Sequence, residues 1–168
     1  GRVNSESALF PYYTEDKIQE SISHTGSTTV LLVENDGKTQ LWQPFSDTFD
    51  GVFSIQRNLY KNIYGDKVVF EEVNEDLGVT FRYAWRTSDQ HGFVRSSWLI
   101  NNSADSVNID ILDGLQNVLP YGVQTKVQQE FSNLLDAYKR TELDEQTEMG
   151  IFTLTSTLTD LAEASESL

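Results

Sequence analysis

The chain has 168 residues and a net charge of −14, from 26 acidic and 12 basic side chains. This negative charge, with no basic stripe to offset it, repels phosphate groups, so neither nucleic acid nor an anionic membrane surface is an expected partner. Hydrophobic residues make up 38% of the chain, enough for a globular core, and no apolar run approaches the roughly 20 residues that a membrane-spanning helix needs.

The first predicted element along the chain is a β-hairpin. Residues 1–27 are polar and weakly patterned, whereas 28–34 and 38–43 have the composition of two strands. The intervening "NDG" at 35–37 tolerates the positive φ angles of a tight hairpin turn. Pro44 then ends the second arm, because proline has no N–H to donate to a neighbouring strand.

Five further strands are predicted before residue 113. They cover Val52 to Leu59, Lys67 to Val73, Gly78 to Arg86, Gly92 to Ile100 and Ser106 to Leu112. The third is the clearest, because its large apolar residues recur at every second position and therefore share one face: Val79, Phe81, Tyr83 and Trp85. We expect Trp85, and also Trp98, which alternates with Val94 and Ile100, to lie in the core.

One segment has helical periodicity instead. Its apolar residues follow helical spacing: Val123, Val127, Phe131, Leu134, Leu135 and Tyr138. This spacing predicts one amphipathic α-helix around residues 123–140, with Lys139 and Arg140 next to the negative end of its dipole. The acidic segment 141–148 is predicted to be a solvated loop, and 150–159 to be a strand.

These elements predict an all-β fold, an antiparallel β-sandwich with a single amphipathic helix. Turn signals recur every 8–15 residues, and the chain shows no repeat and no linker, so we expect one domain over residues 1–168. Because the last residues are polar and carry no closing element, we expect this to be one domain or a piece of one.

No residue pattern predicts catalysis. The two histidines, His24 and His91, lie in polar, turn-like contexts, and no Gly-x-Ser-x-Gly, phosphate-binding or metal-ligand spacing occurs. Without cysteine, thiolate chemistry is excluded. Glu71 and Glu72 are adjacent on a predicted strand and should face opposite sides, a poor arrangement for an acid and a base. We therefore expect no catalytic residue, no metal and no cofactor in this segment.

Aromatic and hydrogen-bonding side chains are the better guide to function. Sugars present apolar C–H faces to aromatic rings and hydroxyls to polar groups, so saccharide sites combine both residue types. The candidate carbohydrate-binding residues are Trp42, Arg57, Asn58, Tyr60, Lys61 and Tyr64. The alternative is that these side chains pack against a further part of the protein or tie a sheet edge to a loop.

The segment "GFVRSSWLINNSADSVNIDILDGLQNVLPYGV" resembles the N-terminal β-domain of cellobiose-phosphorylase-type glycoside phosphorylases and related glycoside hydrolases. In that domain a strand ends in an Asn-Asn-Ser or Asn-Thr-Ser turn, which corresponds here to residues 101–103, and the next strand corresponds to 107–112. Residues 9–18 and 57–72 are also similar to this group.

The resemblance implies a galactose-mutarotase-type supersandwich, here only partial, because the chain has too few strands for a whole one. In the family a helical linker and an (α/α)6 barrel follow, and the barrel holds the catalytic carboxylate. The resemblance thus implies that residues 1–168 are the N-terminal fragment of a larger carbohydrate-active protein. The expected function is that of a non-catalytic β-domain of such an enzyme, a phosphorylase or a hydrolase. It would frame the saccharide site or a subunit contact.

The expected partners are an oligosaccharide or the catalytic barrel of the parent protein, with a homodimer as a further option. Three alternatives stay open: a stand-alone carbohydrate-binding module, an aldose-epimerase-like enzyme using His and Glu, and an interaction domain without a sugar role. The resemblance points to bacteria, and both the cytoplasm and the periplasm are compatible with the sequence.

Overall fold

The computed structural model describes residues 9–11, 15–35, 37–120, 123–155 and 166–167. Its contacts divide the chain into two compact units, one of residues 28–114 and one of residues 1–27 together with 115–168. The helices are α1 (Glu15–Ser21) and α2 (Thr125–Tyr138). Among the described residues, neither helix has the length and apolar content needed to cross a membrane.

The strands run in chain order as follows: β1 (Gly26–Asn35), β2 (Lys38–Trp42), β3 (Ile55–Lys61), β4 (Lys67–Asn74), β5 (Val79–Ser88), β6 (Gly92–Asn101), β7 (Asn108–Gln116), β8 (Lys139–Asp144), β9 (Met149–Leu154) and β10 (Glu166–Ser167). One sheet has the order β2-β1-β7, and a second, antiparallel sheet has the order β3-β4-β5-β6. The predicted hairpin is confirmed as β1–β2, with Asn35 paired to Lys38 across the turn.

The core of the first unit lies between these two sheets. Leu31 and Val33 alternate with the exposed Leu32 on β1 and are completely buried, as is Phe81 on β5. Each such side chain contributes on the order of 2 kcal/mol when it leaves water. The predicted all-β, antiparallel sandwich is therefore confirmed, and the inward face predicted for β5 is the one that carries Phe81.

A carboxylate joins the two sheets beside this core. Asp113 on β7 accepts a bidentate pair of hydrogen bonds from Arg95 on β6, at 2.7 and 2.8 Å. It also accepts from the hydroxyls of Ser97 on β6, at 2.7 Å, and of Thr29 on β1, at 2.6 Å. The guanidinium of Arg95 lies 4.8 Å from the ring centre of Tyr83. Four donated hydrogen bonds thus converge on one group between the layers.

Aromatic packing fixes the start of the segment between β2 and β3. The ring of Phe45 lies edge-on to Tyr83, 5.3 Å between centres, and Tyr83 stacks on Phe70 at 4.8 Å. Phe45 has a φ of 64°, a left-handed conformation that is uncommon for a non-glycine residue. These ring contacts and a backbone hydrogen bond to Glu72 hold it there.

The second unit contains α2 and a hairpin formed by β8 and β9. Leu135 of α2 packs in a small core with Leu119, Val123 and Leu154. The helix runs close to the predicted range, but Phe131 has non-helical backbone angles. Phe131 is 45% exposed and Leu134 is 43% exposed, so these two residues of the predicted stripe lie outside the small core.

Other sequence predictions in this unit need correction. The acidic segment 141–148 is not simply a loop, because its first four residues belong to β8 and pair with β9. Asp144 closes the turn by accepting from Thr147 and from the backbone N–H of Gln146. The helix α1 was not predicted, since its seven residues carry no apolar stripe long enough to detect. Residues 156–159 of the predicted last strand lie outside the described residues.

The turn between β4 and β5 requires glycine at position 78. Gly78 has a φ of +63°, and an added Cβ would lie 3.3 Å from the Cβ of Ser103. Gly92, in the next turn of the same sheet, has a φ of +67° with open space around it. Gly78→Ala should therefore lower the free energy of unfolding by more than the roughly 1 kcal/mol expected for Gly92→Ala from backbone strain alone. Urea unfolding of both variants tests this, and equal losses would contradict it.

Candidate functional site

The structure separates the residues that the sequence grouped as a carbohydrate-binding patch. Arg57 and Trp42 contact the same carboxylate on the inner side of the four-stranded sheet. Asn58 and Tyr60 lie on the opposite face of that sheet, because neighbouring strand residues point to opposite sides. Lys61 ends β3 and is exposed. Tyr64, in the turn that follows, is 84% exposed. The six residues therefore do not form one wall.

A cleft of about 360 Å³ opens between the 43–54 segment and the inner side of the sheet. We call it the loop cleft; it is lined by Trp42, Gln43, Ser46, Phe49, Asp50, Gly51, Phe53, Ile55, Arg57 and Glu72. The two phenylalanines are partly exposed, whereas Trp42 is 1% exposed and contributes only an edge. The lining therefore combines aromatic rings with one guanidinium and two carboxylates.

A buried carboxylate forms the base of the loop cleft. Glu72 is 2% exposed and accepts a hydrogen bond from the indole Nε1 of Trp42 at 3.0 Å. Its other oxygen accepts from the backbone N–H of Phe45 and from Nε of Arg57, both at 2.8 Å. The carboxylate of Glu72 therefore accepts a hydrogen bond from each of these three donors. It joins β2, the loop and β3 through one side chain.

Arg57 extends this network from the sheet into the loop. Its Nη2 donates to the backbone carbonyl of Ser46 at 3.1 Å, and its Nη1 lies 3.3 Å from the carboxylate of Asp47. Asp50 lies 3.9 Å from Nη2. The hydrogen bond to Glu72 raises the pKa of Arg57 above its ordinary value, outweighing the lowering effect of partial burial. Arg57 thus ties the loop to the sheet, with Nε bound to Glu72 on β4 and both terminal nitrogens bound to the loop.

A second polar cluster lies on the face of the four-stranded sheet that points away from the sandwich core. We call this the outer face; its polar and aromatic side chains include Asn58, Tyr60, Lys67, Glu71, Arg82, Arg86, Ser96 and Trp98. Adjacent strands bring Asn58, Glu71, Arg82 and Trp98 into one row across all four strands. This row joins residues that are 40 positions apart in the sequence.

Glu71 organises the centre of the outer face. It is 3% exposed and accepts from the amide of Asn58 at 2.9 Å, from the hydroxyl of Tyr60 at 3.0 Å and from Nε of Arg82. Burial alone would raise the pKa of Glu71, but these three donors outweigh it and lower the pKa. The same bond raises the pKa of Tyr60, so this phenol stays protonated. The prediction that Glu71 and Glu72 face opposite sides is confirmed.

Trp98 does not lie in the core as the sequence predicted. It is paired with Arg82, is 40% exposed and lies on the outer face, 5.9 Å from the ammonium of Lys67. Its alternation with Val94 and Ile100 is real, but that set of residues points outward. Trp85, in contrast, is half-buried on the inner side, edge-on to Phe93 at 6.4 Å.

The other candidates from the sequence have local roles. His24 and His91 are exposed, and the backbone N–H of His91 donates to Ser88 within a turn. Asn101 accepts from both the N–H and the hydroxyl of Ser103, which confirms a turn at residues 101–103. Within the described part of the chain, no group of three or more His, Asp or Glu side chains is placed to hold a metal ion.

Comparison with known proteins places no further constraint on the site. The sequence matches no model of a known protein family. It also shows no significant similarity to any curated protein. The geometry of the loop cleft and of the outer face is therefore the basis for assigning a function.

Proposed function

We propose that this β-sandwich binds a neutral saccharide in the loop cleft, as a non-catalytic domain of a carbohydrate-active protein. The observation that supports this most directly is the composition of the cleft: partly exposed phenylalanine rings beside one guanidinium and two carboxylates, in about 360 Å³. A concave site of this size with few, fixed polar groups suits a small ligand. The resemblance to glycoside phosphorylase β-domains supports the same class of ligand.

The charges of the cleft favour a neutral sugar over an anionic one. Asp47 and Asp50 have side chains that are 77% and 69% exposed, and they flank the single cation Arg57. Their oxygens can accept hydrogen bonds from sugar hydroxyls, while Phe49 and Phe53 offer apolar surface to a pyranose face. An anionic ligand would instead meet uncompensated like charge.

The loop is organised before any ligand arrives. The Glu72 and Arg57 hydrogen bonds and the packing of Phe45 hold the 43–54 segment on the sheet. A site whose loop is already ordered loses less conformational entropy on binding. Glu72 has three donors bound and is 2% exposed, so its role here is to position the loop, not to exchange protons with a substrate.

In the parent protein, this domain would frame a saccharide for a catalytic barrel, as the resemblance implies. The alternative of a stand-alone binding module requires the same cleft and differs only in what the domain is attached to. The aldose-epimerase alternative needs a histidine beside a carboxylate in the site. His91 is exposed and does not line the cleft, so no described feature of the cleft favours it.

Calorimetric titration with neutral sugars tests the proposal. We would titrate the 168-residue chain with glucose, galactose, cellobiose and maltose, and then repeat the best ligand with Phe49→Ala and Asp50→Ala. Each substitution should weaken binding by about tenfold, because each removes one stacking or hydrogen-bonding group worth roughly 1.4 kcal/mol.

Tyr64→Ala is the matched control, since Tyr64 is 84% exposed and does not line the cleft. It should bind as the wild type does, whereas the sequence grouping of Tyr64 with Arg57 would require a loss. No binding by any sugar in the panel, or equal losses in all three variants, would contradict the proposal.

A further inference from the structure

The outer face carries a charge opposite to that of the whole protein. The strand residues that point to it include three cations, Lys67, Arg82 and Arg86, and one anion, Glu71, which gives 3 − 1 = +2. The full chain has a net charge of −14. If the charged residues of the chain were distributed at random, this face would carry more anions than cations. It carries more cations instead, and such a patch attracts anionic ligands.

Glu71, the anion among these strand residues, is paired with Arg82, so the net charge of +2 is carried by Lys67 and Arg86. Both oxygens of Glu71 are occupied, one by Asn58 and Tyr60 and the other by Arg82, and the residue is 3% exposed. Arg82 uses its Nε for this bond, and its side chain remains 43% exposed. Arg86 is exposed as well, with one of its terminal nitrogens on the hydroxyl of Ser96 at 3.2 Å.

Two aromatic rings lie at opposite edges of the same face. Tyr60 on the edge strand β3 is 49% exposed, and Trp98 on the edge strand β6 is 40% exposed. Three strand spacings separate them, about 14 Å in all. Each ring is held in place, Tyr60 by its bond to Glu71 and Trp98 by the ammonium of Lys67. The outer face therefore carries an aromatic ring on each edge strand and guanidinium groups on β5 between them.

We propose that the outer face binds an acidic polysaccharide, with uronate carboxylates on Lys67, Arg82 and Arg86 and sugar rings on Tyr60 and Trp98. Guanidinium groups bind carboxylates through two parallel hydrogen bonds, and aromatic rings bind the C–H faces of pyranoses. This site lies on the other side of the sheet from the loop cleft. It would bind an anionic ligand, whereas the loop cleft would bind a neutral one, so the two proposals are independent.

A polysaccharide fits this face better than other anions. Duplex DNA carries one negative charge per roughly 1.7 Å, and a protein with a charge of −14 repels so dense an anion at long range. A polyuronate carries only one carboxylate per sugar, so it is a less dense anion and can place single carboxylates on the cations of the outer face. An acidic peptide would satisfy the cations but has no flat apolar rings to place on two separated aromatic residues.

The test uses polygalacturonate and its fully methyl-esterified form, which share a backbone and differ in whether each sugar carries a carboxylate or a neutral methyl ester. Binding to the immobilised chain would be measured by interferometry at low and at high salt. We expect the acidic polymer to bind, with an affinity that falls as salt is raised, and the ester to bind at least about tenfold more weakly. Poly-glutamate serves as the peptide probe and should also bind at least about tenfold more weakly than polygalacturonate, because it lacks sugar rings.

The variants separate charge from stacking. Lys67→Glu combined with Arg86→Glu should weaken polygalacturonate binding by at least about tenfold, since attraction becomes repulsion at two positions. Trp98→Ala should weaken it by a similar factor, whereas Lys38→Glu, on the exposed edge strand β2 of the other sheet, should not. Circular dichroism checks that each variant is folded. If the Lys67→Glu, Arg86→Glu double variant does not fold, Trp98→Ala alone serves as the test.

Three results would overturn the proposal. The first is no binding of polygalacturonate by the wild type, and the second is equal binding of its ester. The third is binding of poly-glutamate as tight as that of polygalacturonate and unchanged by Trp98→Ala, which would identify the outer face as a contact for an acidic protein. None of these bears on neutral sugars in the loop cleft, so the two proposals fail separately.

Discussion

Replacing Glu72 by alanine is expected to lower the free energy of unfolding by about 3 kcal/mol. The substitution removes the acceptor for Trp42 Nε1, Phe45 N–H and Arg57 Nε at once, and the first of these is an indole that is 1% exposed. A buried donor that loses its partner costs about 1–3 kcal/mol, more than the net value of the hydrogen bond itself. Urea unfolding at neutral pH, followed by circular dichroism, measures the loss.

Two further variants, one at the same position and one just beyond the end of β4, calibrate this result. Glu72→Gln keeps an oxygen that can accept from Trp42 but removes the charge that Arg57 faces, so it should lose about half as much. Glu75→Ala, just beyond the end of β4, removes an exposed carboxylate and should change stability by less than about 0.5 kcal/mol. If Glu72→Ala is as stable as Glu75→Ala, the hydrogen bonds to Glu72 do not hold the loop, and the argument that the loop cleft is ordered before binding fails.

The sequence predicted the sandwich because strand alternation is a local signal. In β5 the apolar residues recur at every second position, and the predicted face is the one that carries Phe81 into the core. The Asp-Gly turn after β1 is local in the same way. The strand at β9 was predicted, but its partner β8 was not, because the charged residues of β8 resemble a solvated loop. The pairing of β8 with Thr153 and Phe152 is a contact that composition does not reveal.

The sequence could say which residues share a face but not which face is buried. Trp98 alternates correctly with its neighbours, yet it points outward because its row contains Glu71 and Arg82. Large aromatic residues are buried often enough that the core was the better expectation. An isolated strand carries no information about the opposing sheet, which decides between the two faces.

For the candidate site, too, the sequence predicted the residue types but not which side of the sheet each side chain occupies. Arg57 and Asn58 are adjacent in sequence, and their residue types predicted a shared wall, but strand alternation sends them to different networks on opposite faces. Their partners, Glu72 and Glu71, are themselves adjacent, so one strand pairing creates both clusters. Residue types alone predicted a polar-aromatic region, while the division into a loop cleft and an outer face depends on long-range pairing.

Asp113→Asn is expected to lower the free energy of unfolding by about 2 kcal/mol at neutral pH. Asp113 accepts four hydrogen bonds, and its partner Arg95 is only 11% exposed, so the charge left behind would be poorly solvated. An amide presents one N–H₂ group to these donors and can accept through one oxygen only. Urea unfolding of the variant and of the wild type at neutral pH measures the difference.

The same comparison repeated at lower pH tests the electrostatic part of this argument. Burial alone would raise the pKa of Asp113, but Arg95, Ser97 and Thr29 outweigh it and lower the pKa below its ordinary value. The stabilisation is then fully present above the unfolded pKa of about 3.9 and is lost as pH falls through the lower folded value. The gap between wild type and Asp113→Asn should therefore be constant from neutral pH down to about 5 and should shrink below about 4.

Asp110→Asn is the matched control, because Asp110 lies on the same strand with an exposed side chain. Its stability should stay within about 0.5 kcal/mol of the wild type at every pH. A gap for Asp113→Asn that persisted unchanged into strong acid would show that shape, and not the carboxylate charge, joins the two sheets. A charge effect requires the gap to close, since a protonated Asp113 offers Arg95 little more than the amide does.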